Sequence, residues 1–354
     1  MNKIVFFEDI EQFAQISEKR INKLLKNKGS VILFKPEALE EKATYLSSIE
    51  KQFTKKEFKD VLLIVTDVNL AELEFFKGLS ADVIIELGKR LSIPVCIYSR
   101  IQDEELNTLS KWIDGRIILK NSPDNIPIFD EISSIYSGFE TLYRLCKKIL
   151  KGKLDKSIPK ITAELLNKPQ YEDRFASYAS GYQAFYNIVN SDIRESIESP
   201  KKLSYIIGTW LLTSILKFPG ILVNEIAAAS YLNISVEDFK NVKVRNLFKK
   251  AYYQGPFSTL EPYWWRDGLD NILIDNNVDE GVGLVEKKIK LKVNPCLCSV
   301  DNTSRAGYYC VKSNKPVSRE NSKGEFMWIP RGADLTRISQ TQLDQLGPWE
   351  RTLS

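Results

Sequence analysis

The first third of the chain alternates short apolar, β-branched runs with segments whose apolar residues return every three or four positions. The first pattern is that of strands, the second that of helices buried along one side. Lys3 to Phe7 reads as a strand, and Glu11 to Lys26 as a helix with Phe13, Ile16, Ile21, Leu24 and Leu25 on its apolar side. Ser30 to Phe34 is the next strand, and Pro36 to Phe53 a helix with Leu39, Ala43, Leu46 and Ile49 at helical spacing. Val61 to Thr66 is apolar until its end, as a central parallel strand covered on both faces must be. Ala81 to Leu91 reads as helix, Ile93 to Ser99 as strand, Glu104 to Ile113 as helix and Arg116 to Lys120 as the last strand. Five such alternations predict an α/β domain over residues 1–125, with a doubly wound, five-stranded parallel sheet.

From Ile128 the period changes. Ile128, Ile132, Ile135, Phe139, Leu142, Cys146 and Ile149 follow at alternating steps of four and three. That spacing predicts a long connecting helix over 126–152 with a narrow apolar seam. Such a seam serves either the domain's own sheet or a second copy of the chain, a homodimer through 128–149. Lys151 to Pro169 is basic and contains Pro159 and Pro169, the signature of a linker. Residues 170–276 read as a mostly helical effector region. Residues 277–354 read as a small α+β part, with strand patterns at Val285 to Val293, Gly307 to Lys312 and Phe326 to Ile329.

Composition narrows the chemistry. The chain has 354 residues, 43% hydrophobic and 27% charged, with a formal net charge of +4, too small to mark a nucleic-acid binder by itself. No apolar run approaches the ~18 residues of a membrane span. The strongest candidate, Tyr205 to Phe218, is too short and carries Lys217. The N-terminus reads as a strand followed by acids, not as a signal peptide, so a cytoplasmic protein is expected. Of five cysteines, Cys96 falls in a strand pattern and Cys146 in a helix pattern, which argues against a secreted disulfide framework. The sequence has no histidine. Histidine-based hydrolases, nucleases and kinases are thereby excluded in their usual forms, leaving carboxylates, Lys, Ser/Thr, Tyr or Cys.

Ligands of open parallel sheets collect beyond the carboxyl ends of the strands. The first strand ends in Glu8 and Asp9, the third in Asp67, the fourth in Ser99 and the fifth in Lys120. Converging there, Glu8, Asp9 and Asp67 offer a hard cation such as Mg²⁺ its preferred oxygen ligands. Asp67 is then a competent nucleophile toward phosphorus. Lys120 supplies a positive charge and Ser99 a hydroxyl for the phosphoryl oxygens.

These residues, in the runs Phe-Phe-Glu8-Asp9, Ile-Val-Thr-Asp67-Val-Asn-Leu, Ile-Pro-Val-Cys-Ile-Tyr-Ser99 and Ile-Ile-Leu-Lys120, resemble the receiver domain of bacterial two-component response regulators. The spacings from Asp67 to Ser99 and from Ser99 to Lys120 are close to the family's usual ones. The resemblance implies that Asp67 is the phospho-acceptor, that Glu8 and Asp9 help bind Mg²⁺, and that Ser99 and Lys120 form the switch. It also implies a histidine kinase or another protein as partner. The chain departs from the family pattern in four places, the first being a longer than typical segment between Asp9 and Asp67, which an extended second helix would fill. Val68 to Glu72 replaces the usual Met- and Gly-containing run after the acceptor, no Pro directly follows Lys120, and Arg100 stands where a small residue is usual.

In the remainder, Ala229 to Phe239 fits a helix-turn-helix-like core, with Asn233 suited to a left-handed turn and Ile234 and Phe239 to inward packing. Lys240, Lys243 and Arg245 lie downstream as candidate DNA or partner contacts, although Glu237 and Asp238 open the would-be recognition helix, so DNA is not favoured. Trp264, Trp265 and Arg266 belong to an aromatic cluster that suits a core or a binding groove. Cys296, Cys298 and Cys310 provide three thiolates without a fourth ligand, so Zn²⁺ is not expected.

The function expected is that of a cytoplasmic signalling protein whose receiver, phosphorylated on Asp67 or switched by a ligand, controls the helical region. Two assignments stand beside it. One is a prokaryotic conflict or anti-phage defence protein whose degenerate receiver docks proteins. The other is a DNA-binding transcription regulator.

Overall fold

The structure, a computed structural model, describes residues 2–26, 28–35, 44–68, 70, 79–99, 112–113, 116–119, 126–150, 157–179 and 199–346. It divides into two compact units, one of residues 1–154 and 194–209, the other of 155–193 and 210–354.

In the first unit, β1 (Lys3–Phe7), α1 (Glu11–Leu25), β2 (Ser30–Leu33), α2 (Tyr45–Phe53), β3 (Val61–Asp67), α3 (Ala81–Leu91) and β4 (Val95–Tyr98) alternate as the apolar pattern predicts. Two short strands, β5 (Trp112–Ile113) and β6 (Arg116–Ile118), precede α4 (Ile126–Ile149). The sheet order is β2-β1-β3-β4-β6-β5. The first four strands run parallel, β6 adds in parallel to β4, and β5 closes the edge antiparallel to β6. This corrects the expected helix over 104–113 at its end, where Trp112 and Ile113 pair with β6; residues 104–111 lie outside the described residues.

β3 is the centre of the sheet. All seven of its residues are buried, which explains its unbroken apolar run. Alternate residues feed two cores: Val5, Phe7, Ile64 and Ile97 pack with Ile49 and Phe53 of α2 and Ile84 and Leu87 of α3. On the other side Phe6 meets Tyr98, Tyr98 meets Phe13 of α1, and Phe13 meets Phe129 of α4. α1 turns inward at Ala14, Ser17, Ile21 and Leu25 and stops at Lys26, whose φ of 45° is left-handed. A capping box starts α2, with Thr44 Oγ1 accepting from Ser47 N and Ser47 Oγ accepting from Thr44 N.

α4 has the length its seam predicts. Ile128, Ile132, Ile135, Phe139, Leu142 and Cys146 are all buried within this chain. The seam is therefore filled by the unit's own core.

In the second unit the helix Ile158–Leu165 occupies part of the expected linker. Pro159 does not break it because Pro159 sits in its first turn, behind the N-cap Ser157, where no N–H is needed. The helices Glu225–Tyr231, Val236–Phe239, Val242–Leu247, Arg266–Asp275 and Gly281–Ile289 share one apolar core with Val223, Trp264 and Leu335. Leu222–Asn224 pairs antiparallel with Tyr263–Trp265, and a four-stranded sheet forms from Tyr308–Cys310, Lys315–Val317, Ser322–Lys323 and Thr336–Ser339. The strand expected at Val285 to Val293 does not form: its first part is the end of the helix Gly281–Ile289, where Gly281, Leu284 and Val285 are buried at helical spacing, and after the left-handed cap at Lys290 the residues to Val293 have no regular structure. Phe326 to Ile329 forms no strand either; it is a turn region with Ile329 N bonded to Phe326 O.

Candidate functional site

The chain leaves β1 toward β2 on one side and crosses to β3 on the other, so β1 and β3 flank the point where strand order reverses. Glu8 and Asp9 follow β1 directly, and Asp67 is the last residue of β3. Phe7 pairs with Thr66 and Asp67 with Tyr98. One step past Phe7, the same register sets Glu8 beside Asp67, so Glu8, Asp67 and Tyr98 occupy one row across three strands.

Glu8, Asp9 and Asp67 are 6%, 1% and 2% exposed. One carboxylate oxygen from each lies within 4.8 Å of the other two. Three buried carboxylates so close repel one another when ionised, and a hard divalent cation removes that penalty. The donor set fits such an ion: all ligand atoms are oxygens, anionic and turned to a common point, and Mg²⁺ or Mn²⁺ takes water in its other positions. Among the described residues no second group of three such donors converges.

Glu8 is held at both oxygens. Oε1 accepts from the Ile10 backbone N–H at 2.9 Å, and Oε2 accepts from the Tyr98 hydroxyl. Tyr98 is 1% exposed, its ring 5.6 Å from Phe6 and 6.0 Å from Phe13. Sequence reasoning missed Tyr98. It sits inside the run that ends in Ser99, and only strand register reveals that it shares a row with the acids. Ser99 is buried at the end of β4, beside this row. Lys120 and Arg100 lie outside the described residues.

No protein-family model matches this chain, and no curated protein matches it. Solved structures similar to parts of it include the following two. The Mn²⁺-bound form of response regulator Rcp1 is 15% identical, covering 39% of this chain and 93% of that one, with a TM-score of 0.25. RcsB from Salmonella enterica serovar Typhimurium, bound to promoter rprA with a phosphomimetic BeF₃⁻, is 13% identical, covering 54% and 98%, with a TM-score of 0.25. Likenesses this low leave the pocket's own geometry as the ground for a functional reading. Among the described residues, no helix is long and apolar enough to cross a membrane.

The other candidate residues sit in the second unit. Lys240 and Lys243 are exposed, whereas Arg245 is only part-exposed and donates to Glu225. Asn233 does turn left-handed, at φ 56°, and Ile234 and Phe239 are fully buried. The helix that follows that turn, Val236–Phe239, has four residues, and Asp238 there accepts from Ser235 Oγ and from Asn294. Its carboxylate thus staples two parts of the fold. Trp264 is fully buried, stacked on Tyr252 at 4.9 Å and tilted against Phe239 at 5.2 Å. Trp265 lies under the Lys168 ammonium at 4.9 Å, and Arg266 pairs with Asp334 at 2.6 Å. These three spend their surface inside the fold. Cys296, Cys298 and Cys310 are buried; Cys298 and Cys310 share a small cluster with Val317.

Proposed function

We propose that residues 1–125 are a receiver that takes a phosphoryl group on Asp67 and thereby governs the rest of the chain. The observation carrying this reading is the buried triad of Glu8, Asp9 and Asp67 at the strand-order reversal of a parallel sheet. Glu8, Asp9 and Asp67 would hold Mg²⁺ or Mn²⁺. When bound, the cation neutralises the pocket and lets an anionic donor approach a carboxylate.

Asp67 Oδ forms the new bond to phosphorus as the donor's bond to its leaving group breaks. The leaving group departs with the electron pair and is protonated from solvent. Positioning and charge supply the catalysis, with little other covalent work for the protein. Burial of Asp67 excludes bulk water from the mixed anhydride once formed. In this reading the Ser99 hydroxyl and the Lys120 ammonium bind the phosphoryl oxygens, and the donor is a histidine kinase or a small phosphorylated molecule.

For the second unit to respond, the two states of the receiver must differ in free energy of interaction with it. α4 is the natural carrier, since it leaves the receiver core toward that unit in sequence. The filled seam of α4 gives no support to a homodimer through 128–149. Uptake of one phosphoryl group from a small donor with Mg²⁺, on the wild type and not on Asp67→Asn, is the test.

A further inference from the structure

We infer that Tyr98 is a positioning residue of this pocket: its hydroxyl orients the Glu8 carboxylate toward the cation, and its ring anchors that carboxylate to the helical face of the domain. The inference rests on the reading of the pocket as a cation site.

A glutamate is a poor preorganised ligand, because its long side chain loses rotamer freedom on being fixed. Here the loss is met in the fold. The Ile10 N–H holds one oxygen of Glu8 and the Tyr98 hydroxyl holds the other. Each oxygen keeps a further lone pair, so the two donors fix direction without consuming the ligand.

Tyr98 is itself immobile. It belongs to β4, it pairs with Asp67 in the sheet, and it is 1% exposed. Its ring lies 6.0 Å from that of Phe13, and Phe13 lies 6.1 Å from Phe129 of α4. Arg20 covers the Phe129 ring at 5.4 Å. A column of rings therefore runs from the pocket to α4. A buried tyrosine needs some acceptor, but this one has taken an acid of the triad, the group whose direction decides whether a cation fits. Partners that orient a metal ligand in this way commonly contribute ten- to a hundredfold in affinity.

The test is a Mn²⁺ titration of the full chain, read by loss of the free-ion paramagnetic resonance signal. It compares wild type, Tyr98→Phe, Glu8→Ala and the double variant. Tyr98→Phe keeps the ring and the core contacts, and circular dichroism verifies the fold. The expected result is roughly tenfold weaker binding in Tyr98→Phe, with no further loss when the same change is made on Glu8→Ala. A second readout is the tyrosine ultraviolet difference signal on adding Mg²⁺, expected in wild type and lost in Tyr98→Phe. Equal affinity in wild type and Tyr98→Phe, or an undiminished loss on the Glu8→Ala background, overturns the positioning role while leaving the cation site standing. Absence of Mn²⁺ binding to the wild type overturns both.

Discussion

Gly208 and Phe139 share one space: a β-carbon on Gly208 would stand 2.2 Å from Phe139 Cε1, so the ring lies directly on the glycine's backbone. Both residues belong to the first unit, which thus recruits the helix Pro200–Trp210 from far along the chain to cover α4. Gly208→Ala is expected to destabilise this unit by roughly 1–3 kcal/mol, the cost of overpacking a filled core. Adding Phe139→Leu should recover part of the loss. Urea unfolding of the two single variants and the double variant checks this, and a neutral Gly208→Ala would contradict the contact.

The acidic triad makes a second prediction. Without a cation, ionised Glu8, Asp9 and Asp67 repel across 4.8 Å or less. In chelator, Asp67→Asn should therefore be more stable than wild type, by about 1–3 kcal/mol at the effective dielectric of such sites. With Mg²⁺ at a hundred times its dissociation constant, wild type should gain about 2.7 kcal/mol by linkage. The variant should gain little. Melting curves with and without Mg²⁺ decide; equal stabilisation of both proteins would place the ion elsewhere.

Lys201 gives a pH dependence. Burial pulls its ammonium down from 10.5 to about 8, against the opposing influence of Asp60. Between those values the unfolded chain binds more protons than the folded one, so this group makes stability rise with pH across that window. Below it the strain of the buried charge is fully present. Lys201→Met is expected to be the stabler protein near neutral pH, with the gap to wild type closing at alkaline pH. Unfolding measured at about pH 7 and about pH 10 checks the sign; a gap of constant size would contradict it.

The aromatic cluster of the second unit separates core from surface. Trp264, fully buried between Tyr252 and Phe239, should cost about 3–5 kcal/mol on truncation to Ala. Exposed Lys240 and Lys243 should change stability by no more than about 0.5 kcal/mol. Thermal unfolding of the three Ala variants tests the contrast.

Much of the first unit is legible in the sequence because parallel strands buried on both faces leave unbroken apolar runs. β3 is the clearest case, and the acids at the ends of β1 and β3 could be placed from those runs alone. Tyr98 could not. Period tells which residues alternate within a strand, but the row joining Glu8, Asp67 and Tyr98 depends on which strands are neighbours. The α4 seam was equally plain in the sequence, while its filling by Gly208 and the sheet was not, because the covering helix begins about fifty residues beyond α4 in the chain. Local patterns also misled. The alternation in Ile289-Lys-Leu-Lys-Val293 reads as a strand, yet the run pairs with no strand: it follows a helix that ends at Ile289 with a left-handed cap at Lys290. Pro159 reads as a break, yet it opens a helix.

Acceptance of a phosphoryl group by Asp67 is open to a direct test by intact mass. Wild type, Asp67→Asn and Ser99→Ala are each incubated with Mg²⁺ and acetyl phosphate. Expected are a gain of about 80 Da on the wild type, consistent with one aspartyl phosphate, a slower gain on Ser99→Ala and none on Asp67→Asn. The adduct should also be lost on treatment with hydroxylamine, as an acyl phosphate must be. An unmodified wild type, or an equal gain on Asp67→Asn, would rule out Asp67 as the acceptor.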